Sequence, residues 1–254
     1  YHQVAPQSLP AFRKYTVTPK AFAAQMRWLA LAGYVPIMLD DLLAARSGGS
    51  GCLPSRPVII TFDDGFQDCV DYAVPILQAR GFRAIFYLVA GLMGRVSEWL
   101  ITERGIELAL IDWGTARRLE ATGFQCGAHS LSHPRLANLD VAACRIELYE
   151  SRRLLEDQLG RAVQHLAYPF GSFNETVRTI AAESGYLSAC STKIGLSPAD
   201  DDLLALPRIH VRGQDSLLDF ICRLHTAHSC RETAHRASSA VLQRLRLAGR
   251  LARP

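Results

Sequence analysis

The sequence lacks a long hydrophobic run and any cysteine pair at metal-binding spacing. None of its 254 residues belongs to a stretch of about 18 apolar residues, which excludes a membrane-spanning helix. The seven cysteines are scattered and odd in number, and no C-x-x-C pair occurs. This pattern favours reduced, partly buried thiols over a disulfide framework. Reduced thiols, together with the lack of a basic and apolar leader in the first residues, lead us to expect a cytoplasmic location, with peripheral membrane contact as a further possibility.

Basic character is also scarce outside one end of the chain. The net charge is +4, but residues 231–254 alone contain six arginines and one glutamate. The remainder holds 22 basic and 23 acidic residues, so no nucleic-acid-binding face is expected there. Residues 229–254 are predicted to form a basic tail. Leucines and a valine among its arginines favour either an amphipathic helix in peripheral contact with a membrane or a solvated end.

Residues 1–228 alternate between short apolar runs and helical patterns, which predicts one α/β domain. Such alternation is typical of parallel strands with helices outside them, in an open sheet or a closed barrel. Caps and glycine stops delimit the helices, as where Thr18 and Pro19 open the first. Strands are predicted at 58–62, 84–89, 125–129, 165–169, 187–191 and 206–211, and helices at 18–33, 71–80, 140–160, 174–184 and 216–226.

A double aspartate follows the first of the predicted central strands. Asp63 and Asp64 come directly after an apolar, β-branched run. Two carboxylates at the end of a buried strand are costly unless something binds them. Adjacent side chains diverge, so one can ligate a metal while the other accepts a proton. An acidic turn that caps the next helix is the structural alternative.

A histidine pair follows a later strand. His129 and His133 are four residues apart, which on a helical turn would put both imidazoles on one face. With Asp64 they would supply two nitrogens and one oxygen and leave a coordination position open, as in catalytic zinc sites. The same ligands accept other divalent ions. A capping histidine plus a surface histidine is the alternative.

Three motifs in this order resemble the polysaccharide deacetylases, also known as the NodB-homology domain or carbohydrate esterase family 4. They are Thr61-Phe62-Asp63-Asp64-Gly65, then His129-Ser130-x-x-His133, then Tyr168-Pro169-Phe170-Gly171. The opening Tyr1-His2 is also similar to the family, and the resemblance covers roughly residues 1–225. It implies an incomplete, distorted (β/α) barrel.

The resemblance also implies a reaction, the removal of N-acetyl groups from an amino-sugar polysaccharide. Asp64, His129 and His133 would hold one divalent metal ion, Zn²⁺ first and otherwise Co²⁺, Ni²⁺ or Mn²⁺. Asp63 would be the general base for the water that the metal activates. The Phe170 N–H would stabilise the oxyanion, while Tyr168 and Pro169 would shape the sugar groove.

The chain departs from the family pattern in two places. The arginine that braces the base in many members is replaced by Ala167, which is closer to the subgroup acting on exopolysaccharides such as poly-N-acetylglucosamine. The late motif that donates the general acid is absent as such. His210 is our candidate acid because imidazole titrates near neutral pH. A strand histidine with a hydrogen-bonded partner is the alternative reading of His210.

These departures keep other functions open. One is a non-catalytic glycan-binding domain on the same fold, and another is a metal-dependent amidase for small substrates. The expected substrate is an N-acetylated polysaccharide or a lipid-linked oligosaccharide. Of the remaining candidates, we expect Asp68 to cap a helix, His165 to be a buried structural histidine, and Trp99 and Trp113 to lie in a loop that could edge the groove.

Overall fold

Six parallel strands form the central sheet of the computed structural model, which describes residues 1–47, 52–198 and 201–233. The strands follow one another across the sheet in chain order. Most of the predicted basic tail lies outside the described residues, so the domain boundary at 228 stays a prediction. The strands are β5 (Thr61–Phe62), β6 (Ile85–Leu88), β7 (Gln125–Ala128), β8 (His165–Ala167), β9 (Ser188–Ile194) and β10 (Leu206–Arg208).

The sheet is strongly curved. In a flat sheet, five strand spacings of about 4.8 Å would separate β5 from β10 by roughly 24 Å. Instead, Arg208 on β10 donates a hydrogen bond of 2.6 Å to Asp63, which directly follows β5. The two edge strands do not pair with each other, so the barrel closes only in part. The expected incomplete (β/α) barrel is confirmed.

Two small parallel pairs lie beside this sheet. β1 (Gln3–Val4) pairs with β2 (Thr16–Val17), and β3 (Val35–Pro36) pairs with β4 (Pro57–Val58). The apolar run predicted as one strand over 58–62 is therefore two strands. Its beginning pairs with β3 and its end pairs with β6, because the chain passes from one sheet to the other between them.

Helices connect most of the strands, and their ends follow the capping signals of the sequence. The side chain of Thr18 accepts from the N–H of Ala21, and Gly160 takes the left-handed conformation that ends the longest helix. The α-helices are α1 (Pro19–Leu31), α2 (Leu39–Arg46), α3 (Val74–Gln78), α4 (Glu98–Arg104), α5 (Trp113–Ala121), α6 (Val141–Leu159), α7 (Glu175–Glu183) and α8 (Leu217–Thr226).

The helix predicted over 71–80 is irregular. It opens as a π-helix, Cys69–Ala73, before α3 begins. Pro75 has no N–H and cannot donate to the carbonyl of Asp71, so the α-helical bond at that position is missing. None of the described helices combines the length and the hydropathy needed to cross a bilayer.

One cysteine pair contradicts the expectation of reduced thiols throughout. Cys222 and Cys230 form a disulfide with a Cα–Cα distance of 5.5 Å. Their separation of eight residues carried no recognised motif, and only the turn after α8 brings them together. The other five are free, and four of these are buried. Burial raises the pKa of Cys69 to about 12, which keeps it a thiol. The predicted location, which rested partly on the cysteines, stays a prediction.

Candidate metal and catalytic site

The carboxyl ends of the central strands gather the predicted residues at one edge. Asp63 and Asp64 follow β5, His129 follows β7, and Tyr168 follows β8. They line a single pocket of about 370 Å³. Parallel strands point the same way, so segments distant in sequence arrive at the same rim.

Three side chains in this pocket are placed to share one ion. Asp64 Oδ1 lies 3.2 Å from His133 Nε2 and 3.4 Å from His129 Nε2. Their ligand atoms all lie within 4.8 Å of one another, and all three residues are buried. One carboxylate oxygen and two imidazole nitrogens suit a divalent transition metal and leave room for water or substrate.

Hydrogen bonding prepares His129 for this task. Its Nδ1 lies 2.7 Å from the carbonyl oxygen of Ala167. A carbonyl only accepts, so Nδ1 carries the proton and the neutral ring turns the lone pair of Nε2 towards Asp64. Burial lowers the pKa of His133 despite the opposing effect of Asp64, which also favours the neutral, metal-binding form. The lone pair of His129 Nε2 facing a carboxylate fits a bound cation.

The histidine pair does not lie on a helix, so that part of the prediction is wrong. Residues 129–133 form a loop in which Ser130 and His133 have φ of 61° and 66°. Glu147 of α6 holds this loop, because its Oε2 accepts the N–H groups of Leu131 and Ser132, each at 2.9 Å. Glu147 could not be identified from the sequence, since only the packing of α6 brings it to the loop.

Unfavourable backbone conformations concentrate at this pocket. Among the described residues, five other than glycine have positive φ, and four belong to the site, namely Asp64, Ser130, His133 and Phe170. Such conformations cost about 1–3 kcal/mol each and persist only where the surrounding structure enforces them. The barrel therefore holds at least two of the metal-ligand candidates in orientations that a relaxed loop would avoid.

The candidate base is held by an arginine that sequence analysis did not identify. Arg208 donates to Asp63 Oδ1 at 2.6 Å and to Oδ2 at 2.7 Å, and both residues are shielded from solvent. Burial alone would raise the pKa of Asp63, but the charge and hydrogen bonds of Arg208 outweigh burial and hold it well below its usual range. Asp63 is thus ionised at neutral pH.

Arg208 supplies the contact that the sequence seemed to lack at Ala167. It reaches the base from β10, on the far side of the barrel opening, and also donates to the carbonyl of Ser191 at 3.0 Å. A signal was present, because Arg208 stands two residues before the candidate acid His210. Nothing in the linear sequence shows that the curvature of the sheet brings one edge strand, β10, towards the other edge strand, β5.

His210 also lines the pocket, but its environment opposes protonation. Burial, followed by the charges of Arg208 and His2, lowers its pKa to about 3. Its Nε2 is buried and has no hydrogen-bond partner among the described residues. The alternative reading, a strand histidine whose ring has a hydrogen-bonded partner, is therefore not supported at Nε2. The role of His210 as general acid stays a prediction.

The predicted oxyanion turn has a distinctive geometry. Phe170 adopts φ 56° within the short helix Pro169–Gly171. The hydroxyl of Tyr168 donates to the carbonyl of Leu204 at 2.9 Å, which fixes its ring at the pocket wall. Pro169, the first residue of the turn, is buried and is not among the described residues that line the pocket. It positions the turn rather than forming the groove surface.

Aromatic rings complete the wall around His133. Trp99 stacks on its imidazole at 4.2 Å, and Phe170 approaches it edge-on at 4.6 Å. The Arg135 guanidinium lies 3.9 Å from the centre of the Phe170 ring. Trp99 stands on α4 rather than on a loop, and Trp113 does not line this pocket in the described structure.

The remaining candidates divide between structural and peripheral positions. Asp68 caps no helix through its side chain but accepts from Gln3 at 2.5 Å, so the capping prediction is wrong. His165 is buried and bonded to Ser188 and Asp40, which confirms its structural role. His2 lines the pocket and stacks on Tyr15.

Comparison with known proteins agrees with the resemblance seen in the motifs. The sequence profile of the polysaccharide deacetylases matches residues 50–189, more than half of the chain. The chain belongs to the polysaccharide deacetylase family. This match confirms the predicted family and its enzyme class. The matched residues contain all three motifs.

Individual relatives of this polysaccharide deacetylase span different lengths. The poly-β-1,6-N-acetyl-D-glucosamine N-deacetylase of Escherichia coli O157:H7 is 36% identical, over 84% of this chain but only 36% of that protein. The Streptococcus pyogenes deacetylase PplD, solved with acetate, superposes with a TM-score of 0.76 and 25% identity, over 88% of this chain and 95% of that one. IcaB from Ammonifex degensii shares the fold, with a TM-score of 0.72, 22% identity and coverage of 89% and 94%.

Proposed function

We propose that this chain is a metal-dependent hydrolase that removes N-acetyl groups from an N-acetylglucosamine-type polysaccharide. The observation that carries the proposal is the adjacency of two differently paired carboxylates. Asp64 faces two imidazoles at 3.2 and 3.4 Å, whereas Asp63 faces a guanidinium. One carboxylate is thus placed to ligate a cation, and its neighbour is ionised and placed to accept a proton.

The residues divide the work of amide hydrolysis. A divalent ion held by Asp64, His129 and His133 would lower the pKa of water and polarise the acetamide carbonyl. Asp63, kept as a carboxylate by Arg208, takes the proton of the attacking water. The backbone N–H of Phe170 would stabilise the negative charge that develops on the carbonyl oxygen.

Departure of the sugar amine needs a proton, and two residues could deliver it. His210 is the proposed donor, but its low pKa means that it must gain a proton after substrate binds. Asp63 could instead return the proton that it took from water, since it faces the same pocket. The pH dependence of the rate separates these routes, because only the first loses its alkaline limb in His210→Gln.

The non-catalytic alternative loses part of its support. It rested on the absent bracing arginine and on the uncertain general acid, and Arg208 now supplies a guanidinium beside Asp63. A polymeric amino sugar is proposed because the Escherichia coli relative is named for poly-β-1,6-N-acetyl-D-glucosamine. Membrane contact through the tail concerns residues that lie mostly outside the described part, and it stays a prediction. A lipid-linked substrate also stays a prediction.

The proposal is tested by acetate release from N-acetylglucosamine oligomers, with Zn²⁺, Co²⁺, Ni²⁺ or Mn²⁺ and with a chelator. Asp63→Asn should lower kcat by about 10²–10⁴-fold, since general-base catalysis contributes that much, and should still bind one metal ion. The control is His225→Ala, an exposed histidine on α8, which should match the wild type in both measurements. If the wild type releases no acetate with any of these metals, the proposal is wrong.

A further inference from the structure

The positive charges that line the pocket differ in whether they are neutralised. Three of five basic side chains there have carboxylate partners. Arg208 lies 2.6 Å from Asp63, Arg135 lies 3.1 Å from Glu103, and Arg212 lies 3.0 Å from Glu232. These three pairs contribute little net charge to the groove. The other two basic residues, Lys14 and Arg104, have no carboxylate within 4.0 Å among the described residues.

Both unpaired cations meet at one aromatic ring. Lys14 Nζ lies 5.3 Å, and the Arg104 guanidinium 5.5 Å, from the centre of the Tyr15 ring. His2 stacks on the same ring at 5.0 Å with an interplanar angle of 1°. We call His2, Lys14, Tyr15 and Arg104 the cationic corner. All four line the pocket, and Lys14 and Arg104 are exposed at its rim.

The corner is joined directly to the catalytic residues. The carbonyl of Tyr1, which precedes His2, accepts the N–H of Asp63 at 2.9 Å. A sugar bound at the corner would therefore neighbour the sugar whose acetamide lies over Asp63 and Asp64. The Arg135–Glu103 pair, which also lines the pocket, is neutral as a whole, so among the arginines and lysines of the pocket the unbalanced charge belongs to Lys14 and Arg104.

Two like charges at one ring favour an anionic ligand. The ring attracts each cation only weakly at an exposed site and does not cancel their mutual repulsion. A carboxylate or phosphate would accept hydrogen bonds from both side chains and remove that repulsion. We propose that the cationic corner is a subsite for an anionic sugar substituent next to the N-acetyl group removed, an inference that rests on the proposed function.

The test compares three N-acetylglucosamine oligomers of equal length: one neutral, one with a single 6-phosphate and one with a single 6-carboxylate. For the wild type, KM should be about three- to tenfold lower for at least one acidic oligomer than for the neutral one, and the difference should shrink at high salt. A lower KM for one acid alone identifies which anion the corner accepts. Equal KM for all three oligomers overturns the inference.

Paired substitutions locate the effect. Lys14→Gln with Arg104→Gln should abolish the preference, because KM for the acidic oligomer should rise to that of the neutral one. Lys20→Gln with Arg27→Gln, which removes the same charge from exposed positions on α1, should keep it. A preference that survives at the corner variant, or is lost in the control, contradicts the inference.

The two proposals can fail separately. If no oligomer releases acetate, the proposed function is wrong, and the corner is then judged by calorimetric binding of the acidic and neutral oligomers. Tighter binding of an acidic oligomer that is lost in Lys14→Gln with Arg104→Gln supports the subsite without turnover. Equal binding of all oligomers overturns it.

Discussion

The two sides of the catalytic pocket are built in different ways. On the side of β5 and β7, Asp64, His129 and His133 come from short sequence motifs at strand ends, and two of the three have positive φ. On the side of β10, Arg208 and His210 come from a segment without a recognisable motif. The first side concentrates residues with positive φ, while the second supplies the charge of Arg208 from the end of β10.

The difference shows two ways of controlling a carboxylate. Asp64 is buried against two imidazoles, and a cation bound there would balance its charge. Asp63 is buried against a permanent cation, so its charge is balanced before any ligand arrives. Adjacent aspartates with nearly equal burial thus acquire separate tasks from their partners alone.

We expect the largest effects from substitutions on the side of β5 and β7, where the three candidate metal ligands lie. Asp64→Ala or His129→Ala removes one of three ligands, and we expect loss of stoichiometric metal together with a fall in activity of at least about 10³-fold. Elemental analysis and acetate release measure the two effects. If either variant keeps one tightly bound metal ion, the assignment of the three ligands is wrong.

The second largest effect is expected from substitution of Arg208 on the side of β10, because it removes the charge that balances Asp63. Arg208→Met leaves a buried carboxylate without its partner, which should destabilise the fold by about 3–5 kcal/mol at neutral pH. Arg208 is what lowers the pKa of Asp63, so in the variant burial dominates and the pKa rises. The acidic limb of kcat/KM should therefore move to higher pH.

The sign of the pH effect provides the control for Arg208. In the wild type the pair stabilises the fold above the ordinary aspartate pKa of about 3.9, and this contribution is lost as pH falls below it. In Arg208→Met, where burial raises the pKa of Asp63, the buried carboxylate takes up a proton as pH falls from neutral towards 4, and its penalty is relieved. The stability difference between the wild type and Arg208→Met should therefore shrink over that range, and further below pH 4, in denaturant titrations. A difference that stays constant with pH would show that packing, not charge, explains the loss.

The smallest expected effect concerns the support of the histidine loop. Glu147→Ala removes the acceptor of two N–H groups, so the loop should hold His133 less firmly and metal affinity should fall about tenfold. Glu150→Ala, three residues along the same helix and bonded only to Arg153 among the described side chains, is the matched control. Metal titration of both variants checks this. An unchanged affinity in Glu147→Ala would mean that the loop conformation does not depend on it.

The residues on the side of β5 and β7 could be predicted from the sequence because short local patterns identify them. Alternating apolar runs and helix caps give parallel strands in chain order, and polar residues directly after such strands must meet at one rim. That reasoning placed Asp63, Asp64, His129, His133 and Tyr168 in one pocket. It failed for the loop at 129–133, because a spacing of four residues also fits a turn with left-handed residues.

Only the tertiary structure decided which charges balance one another. The curvature of the sheet brings β10 to β5, and no pattern within either segment encodes how far a sheet curls. Arg208 therefore pairs with Asp63 across 145 residues of sequence, and the packing of α6 brings Glu147 into contact with the histidine loop. The sequence by itself determined which chemical groups stand at the strand ends, whereas the closure of the barrel determined their partners, because electrostatic pairing depends on distance in space rather than along the chain.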